Sequence, residues 1–240
     1  MANGDARAPR ILLNMAVGVM NGREVEMLNS QYSDSVSASG AVPLLCPSIE
    51  RGEIIESLLD LADGVILIGG KDYDPRSYGE KPHPETNMTR LRPDFDFAFV
   101  RAALRRDLPI LGICAGCQLL NIVTGGKLIQ HLDNADEHRG GTTHEATVIA
   151  PGFFSRALSA GPGSRVTVNS YHHQAVDPAH LGTGIRVTGV AFDGSVEAIE
   201  FPGERMVLGV QFHPERMDDL GPGIFSLLAA EARKGMRGGR

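Results

Sequence analysis

Long apolar runs, an excess of positive charge and a framework of paired cysteines are all missing from this sequence. No apolar run approaches the roughly 18 residues that a membrane-spanning helix needs, so no membrane span is expected. The formal net charge is −6, which argues against a general nucleic-acid binder and for a protein that stays in solution. The first ten residues, MANGDARAPR, have no apolar signal core, and export is not expected. The cysteines are Cys46, Cys114 and Cys117, an odd number with uneven spacing. They do not read as a disulfide framework, and a reducing cytoplasm is the expected location. Internal repeats and clear linkers are missing too.

What is present is ordinary globular composition: 240 residues, 42% hydrophobic and 22% charged. That length suits a single domain over residues 11–233, between a flexible start at 1–10 and a flexible basic tail at 234–240. Short apolar runs alternate with helical patterns. Strands are expected at 11–17, 41–47, 64–70 and 108–114, then at 146–150, 165–170, 185–192, 196–201 and 206–212. The early ones are continuously apolar, as strands covered on both faces tend to be. Helices are expected within 49–64, at 94–107, at 115–126 and at 218–235. The β-α-β-α order predicts an α/β fold with a central, mostly parallel sheet and helices on both faces. The later strands extend that sheet or add an antiparallel piece. Residues 71–94 form a long polar, proline-rich loop of the kind that often covers a site.

The stretch PILGICAGCQLLN puts Cys114 where a buried strand turns into a helix. Open α/β sheets place ligand crevices at such strand ends. A helix N-terminus also offers free N–H groups and a positive potential that favours a thiolate. Gly112 and Gly116 flank the cysteine in the G-x-nucleophile-x-G form of a sharp strand-to-helix turn. Three other readings stand beside a nucleophile. One is a plain buried thiol. Another is a dithiol with Cys117, whose helical spacing turns it instead toward the core. The third is a zinc site, for which His138, His144, His172 and His173 lack finger-like spacing with the cysteine pair. No metal is expected.

A nucleophilic cysteine needs a base and a group to orient it. In GVQFHPE, His213 and Glu215 stand two apart across Pro214, and alternate residues of an extended segment share one side. If the preceding strand joins the sheet in parallel, His213 reaches the crevice beside Cys114. An oxyanion would be held by the N–H of Ala115 and by one from the Gly69-Gly70 strand end, for which Gly70 is the choice. His172 and His173 form a further polar cluster after a strand.

GICAGCQLLN with TGGKLIQHL and GVQFHPE resembles the class I glutamine amidotransferase-like superfamily, whose fold is a flavodoxin-like three-layer sandwich. NSYHHQAV, FDGSVEAIE, GGKDYDPRSYGE and RPDFDF resemble its stand-alone γ-glutamyl hydrolase branch, typified by γ-glutamyl-γ-aminobutyrate hydrolase of putrescine breakdown. The likeness runs from about residue 11 to 230. It implies a catalytic triad of Cys114, His213 and Glu215 that hydrolyses a small γ-glutamyl amide through a thioester. It also implies that Gln118 holds the glutamyl group and that 169–173 lines the pocket with Ser170, Tyr171, His172 and His173, next to Gly69. Three positions depart from the branch: Ala115 stands where it has Arg, Asp96 where it commonly has Glu, and Cys117 is unusual. The resemblance implies a small-molecule γ-glutamyl substrate and no cofactor. The rival reading within the superfamily is a glutaminase subunit feeding ammonia to a synthetase partner. Oligomeric state, a homodimer included, is left open.

Overall fold

The computed structural model describes residues 7–88 and 93–237. In chain order its first strands are β1 (Arg10–Asn14), β2 (Ala16–Met20), β3 (Arg23–Met27), β4 (Val42–Cys46), β5 (Gly64–Leu67) and β6 (Ile110–Ile113). They are followed by β7 (Leu128–Ile129), β8 (Thr142–Val148), β9 (Arg165–Ser170) and β10 (Ala175–Val176). The last are β11 (Arg186–Ala191), β12 (Val196–Glu200) and β13 (Val207–Val210). The helices are α1 (Ser30–Ala38), α2 (Gly52–Leu61), α3 (Pro93–Arg105), α4 (Ala115–Val123), α5 (Phe153–Ala157) and α6 (Gly221–Arg237).

Nine strands form one sheet in the order β4-β1-β5-β6-β13-β12-β11-β8-β9. The pairs from β4 to β13 are parallel. Those from β13 to β9 are antiparallel, so the late strands both extend the sheet and reverse its sense. Strands β5, β6 and β13 are buried at every position, because helices cover both faces. On one face Ile11, Leu13, Ile66, Leu111 and Val210 pack with Val36 of α1 and with Ile224, Phe225 and Leu228 of α6. On the other, Leu12, Val65, Leu67 and Ile110 pack with Leu59 of α2, Phe95 and Phe99 of α3 and Leu119 of α4. This is the expected three-layer α/β arrangement.

Several boundaries differ from the sequence expectation. The first strand stops at Asn14, and the chain then makes a separate β2–β3 hairpin. Its turn is Asn21-Gly22, both at positive φ (51° and 73°), the form that matches the twist of paired strands. Helix α1 was not expected; Asn29 caps it by accepting the Gln31 N–H at 3.1 Å. Part of the segment expected to be flexible at 1–10 is tied down. The Arg7 guanidinium pairs with Asp63, and the Pro9 carbonyl accepts the Val42 N–H at 2.8 Å. Residues 1–6 lie outside the described ones. At the other end α6 continues to Arg237, with Lys234 paired to Glu231, so residues 234–237 are helix; 238–240 lie outside the described residues. Loop 71–94 carries a 3-10 turn at Pro75–Tyr78 and a bridge between Asp72 and Met88, and its residues 89–92 are not described. Among the described residues, no helix is long and apolar enough to cross a membrane.

Candidate active site

Cys114 joins β6 to α4. Its N–H donates to the Val210 carbonyl of β13 at 2.8 Å, which ties the turn to the neighbouring strand. The residue holds φ 51° and ψ −107°, a region costly for any side chain, on the order of 1–3 kcal/mol. The flanking glycines have a steric cause. A Cβ at Gly116 would stand 2.2 Å from the Leu67 carbonyl oxygen of β5, and one at Gly112 would stand 2.7 Å from the Gly116 oxygen. Helix and strand therefore approach too closely for any other residue. Ala115 opens α4, so its N–H has no acceptor one turn back within the helix.

His213 follows β13, the parallel neighbour of β6. The imidazole faces the Cys114 side chain across Gly69, and its Nδ1 lies 2.6 Å from Glu215 Oε1. All three side chains are buried. Burial works against a charged imidazole, but Cys114 and Glu215 outweigh it and push His213 up to about 10. The His213 backbone is clamped by Asn169 of β9. Its amide accepts the His213 N–H and donates to the His213 carbonyl, each at 2.8 Å. Tyr171 meets the imidazole edge-on at 5.4 Å, and the Arg216 guanidinium covers the Tyr171 ring at 4.4 Å.

Gly69 lies against both groups. A Cβ there would be 2.7 Å from His213 Cε1 and 3.5 Å from Cys114 Cβ. Its N–H donates to the Tyr32 hydroxyl at 3.1 Å, which leaves the exposed Gly70 as the next backbone donor at that rim. Burial, then Glu215, holds the Tyr32 phenol well above its ordinary value, so it stays neutral. Tyr32 comes from the unexpected α1, and a tyrosine in a serine-rich helix gave no motif by which to find it.

The remaining sequence candidates divide. The Gln118 amide donates to the Gln174 carbonyl and to Gln211 Oε1, both at 3.1 Å, and Gln211 in turn donates to Cys114 Sγ at 3.6 Å. Gln118 is thus bonded within the protein beneath the cysteine. Ser170, expected along the pocket, is fully buried and donates to the His138 carbonyl at 2.9 Å. His172, expected there too, is buried beside Glu197. Strand alternation explains this split, since Asn169 faces His213 and the next residue faces away. His173 pairs with Asp72 at 3.0 Å and His131 at 3.2 Å, below the 71–88 segment. Cys117 is fully buried, its sulfur against Gly209, and burial raises its thiol well above the ordinary value. Such a thiol is a poor partner for dithiol exchange.

The peptidase C26 family description matches residues 11–215. "Putative glutamine amidotransferase Rv2859c" of Mycobacterium tuberculosis is 40% identical over 205 residues, covering 80% of this chain and 64% of that relative. The chain therefore spans somewhat less than two thirds of that relative's length. "Gamma-glutamyl-gamma-aminobutyrate hydrolase PuuD" of Escherichia coli is 30% identical over 226 residues, covering 85% of this chain and 87% of the relative. Among solved structures, the glutaminase domain of Trypanosoma brucei CTPS with bound acivicin superposes with a TM-score of 0.66 at 18% identity, over 94% of each chain. At that identity the likeness concerns the fold.

Proposed function

The chain belongs to the peptidase C26 family, which is class I glutamine amidotransferase-like, and from that premise we propose that it hydrolyses the γ-glutamyl amide of a small amine. The observation that carries this reading is that Cys114 and His213 face one another across Gly69, with the imidazole held by Glu215 at 2.6 Å.

In the proposed reaction Cys114 attacks the γ-carbonyl carbon as a thiolate, its proton already resting on His213. The carbonyl electron pair moves to oxygen, and the N–H groups of Ala115 and Gly70 stabilise that oxyanion. The carbonyl re-forms as the C–N bond breaks. His213 delivers its proton to the departing amine, leaving a glutamyl thioester. Water then gives a proton to His213 and attacks the thioester, and glutamate leaves as the sulfur returns to a thiolate beside the His213 imidazolium. Glu215 keeps the His213 Nδ1 proton pointed toward itself, so that Nε2 serves the reaction.

The test is glutamate release from glutamine, γ-glutamyl-aminobutyrate, γ-glutamyl-putrescine and folate polyglutamate. The expected result is turnover of a small γ-glutamyl amide, lost in Cys114→Ala. Undiminished turnover in that variant overturns the reading. A second reading, a glutaminase subunit of a larger assembly, is favoured by the name of the relative at 40% identity. A subunit would be nearly inert alone on every substrate yet still be labelled at Cys114 by a glutamine-analogue electrophile.

A further inference from the structure

On the antiparallel side of the sheet, three imidazoles close around one carboxylate. Glu197 of β12 is fully buried (0% exposed), and among the described residues its ion-pair partners are His144 and His172, with no Lys or Arg. Its Oε1 lies 3.1 Å from His144 Nε2 and 3.6 Å from His172 Nε2. The His138 ring centroid lies 4.7 Å from that of His144 and 4.9 Å from that of His172. One donor atom each from His138, His144 and Glu197 falls within 4.8 Å of the others.

Hydrogen bonding leaves this set incomplete. His172 Nε2, His144 Nδ1 and Glu197 Oε2 are buried with no hydrogen-bond partner. A carboxylate at this depth needs a counter-charge. Two rings already have one nitrogen fixed. His138 Nε2 stands 3.1 Å from Asp193 Oδ2, and His172 Nδ1 stands 3.0 Å from the Gln174 carbonyl. Such an outward acceptor is the usual companion of a metal-bound histidine, and it turns the other nitrogen inward; in His138 that nitrogen, Nδ1, stands 3.5 Å from Ser170 Oγ, whose proton goes to the His138 carbonyl. Tetrahedral zinc, with nitrogen and oxygen ligands at about 2.0–2.2 Å, holds its donor atoms about 3.3 Å apart. The 3.1 Å between His144 Nε2 and Glu197 Oε1 is close to that spacing, and His172 Nε2 stands 3.6 Å from the same oxygen.

We propose that His138, His144 and Glu197 bind a divalent transition-metal ion, zinc foremost, with His172 bordering the fourth position. Imidazole nitrogens with one carboxylate suit that ion. Phe192, 56% exposed, stacks over His138 at 6.0 Å and meets His144 edge-on at 5.8 Å, on the solvent side of the cluster. The ion ties the segment after the 3-10 turn Ala135–Glu137 to β8 and β12, on either side of β11. Its role is structural and independent of the hydrolase reading.

The experiment uses the whole chain, stripped with a chelator, given zinc chloride and desalted. Expected are about one zinc per chain by mass spectrometry and a melting temperature several degrees above that of the stripped protein. Glu197→Gln should lose both the retained zinc and the thermal shift, whereas Cys114→Ala should keep both. X-ray absorption on the zinc-loaded wild type should show nitrogen and oxygen neighbours alone, which decides the matter even where Glu197→Gln fails to fold. No retained zinc, loss of zinc in Cys114→Ala, or a sulfur neighbour would each overturn the proposal. None of these readouts requires hydrolase activity.

Discussion

Replacing Gly116 by alanine tests whether the tight turn itself sets the reactivity of Cys114. The added Cβ would lie 2.2 Å from the Leu67 carbonyl oxygen and 2.7 Å from its carbonyl carbon, where contacts under 3.0 Å are essentially never tolerated. Both obstacles are backbone of the buried strand β5, so no rotamer change relieves them. The start of α4 must retreat by about 1 Å, and misplacement on that scale costs on the order of 100-fold in rate. Overpacking adds about 1–3 kcal/mol of destabilisation. Gly52→Ala is the control, since a Cβ there meets nothing within 4 Å. Thermal melting and the rate of Cys114 labelling by a glutamine-analogue electrophile are the measurements. The expected outcome is a folded, less stable Gly116→Ala protein labelled about 100-fold more slowly, with Gly52→Ala unaffected. Labelling of Gly116→Ala at the wild-type rate would refute the steric argument.

Three further outcomes are expected. Glu215→Gln removes a charged hydrogen bond to His213 worth about 1.5–3 kcal/mol, so kcat should fall about 10- to 150-fold with KM little changed; a change within twofold would count against the orienting role. His213 is raised from 6.5 to about 10, so the stability its charge confers is full below its unfolded value and is lost as pH climbs toward the folded one. Urea melts should therefore show wild-type stability declining between about pH 7 and 10, and an identical decline in His213→Gln would refute this. Asn14→Leu strands the Ile68 N–H that Asn14 now accepts at 2.8 Å and removes the hydrogen bond it donates to Asp96, also at 2.8 Å. The orphaned N–H costs about 1–3 kcal/mol, and a loss smaller than that on urea unfolding would refute the argument.

The parallel half of the sheet was legible because β5, β6 and β13 are covered on both faces and read as unbroken apolar runs. The β2–β3 hairpin was not, although Asn21-Gly22 signals one, because the apolar run from Ile11 carries past Asn14 into Ala16 and Val17. Helix α1 escaped because its serines blur the apolar stripe and only Tyr32 and Val36 are buried. At the site, spacing was informative wherever close packing allowed one residue type, as at Gly112 and Gly116. It failed for Ser170 and His172, since a motif names a segment but not the face of the strand each member takes. The buried group around Glu197 gathers residues from four separate stretches, and no single motif spans them.

Strand β13 enters between β6 and β12 in the middle of the sheet. During synthesis the chain must therefore keep a slot open until its last sixth is made. Up to that point β6 and β12 present bare backbone edges to other molecules. The nascent protein thus has neither His213 nor a closed sheet, and a chain cut short before residue 207 is a candidate for aggregation.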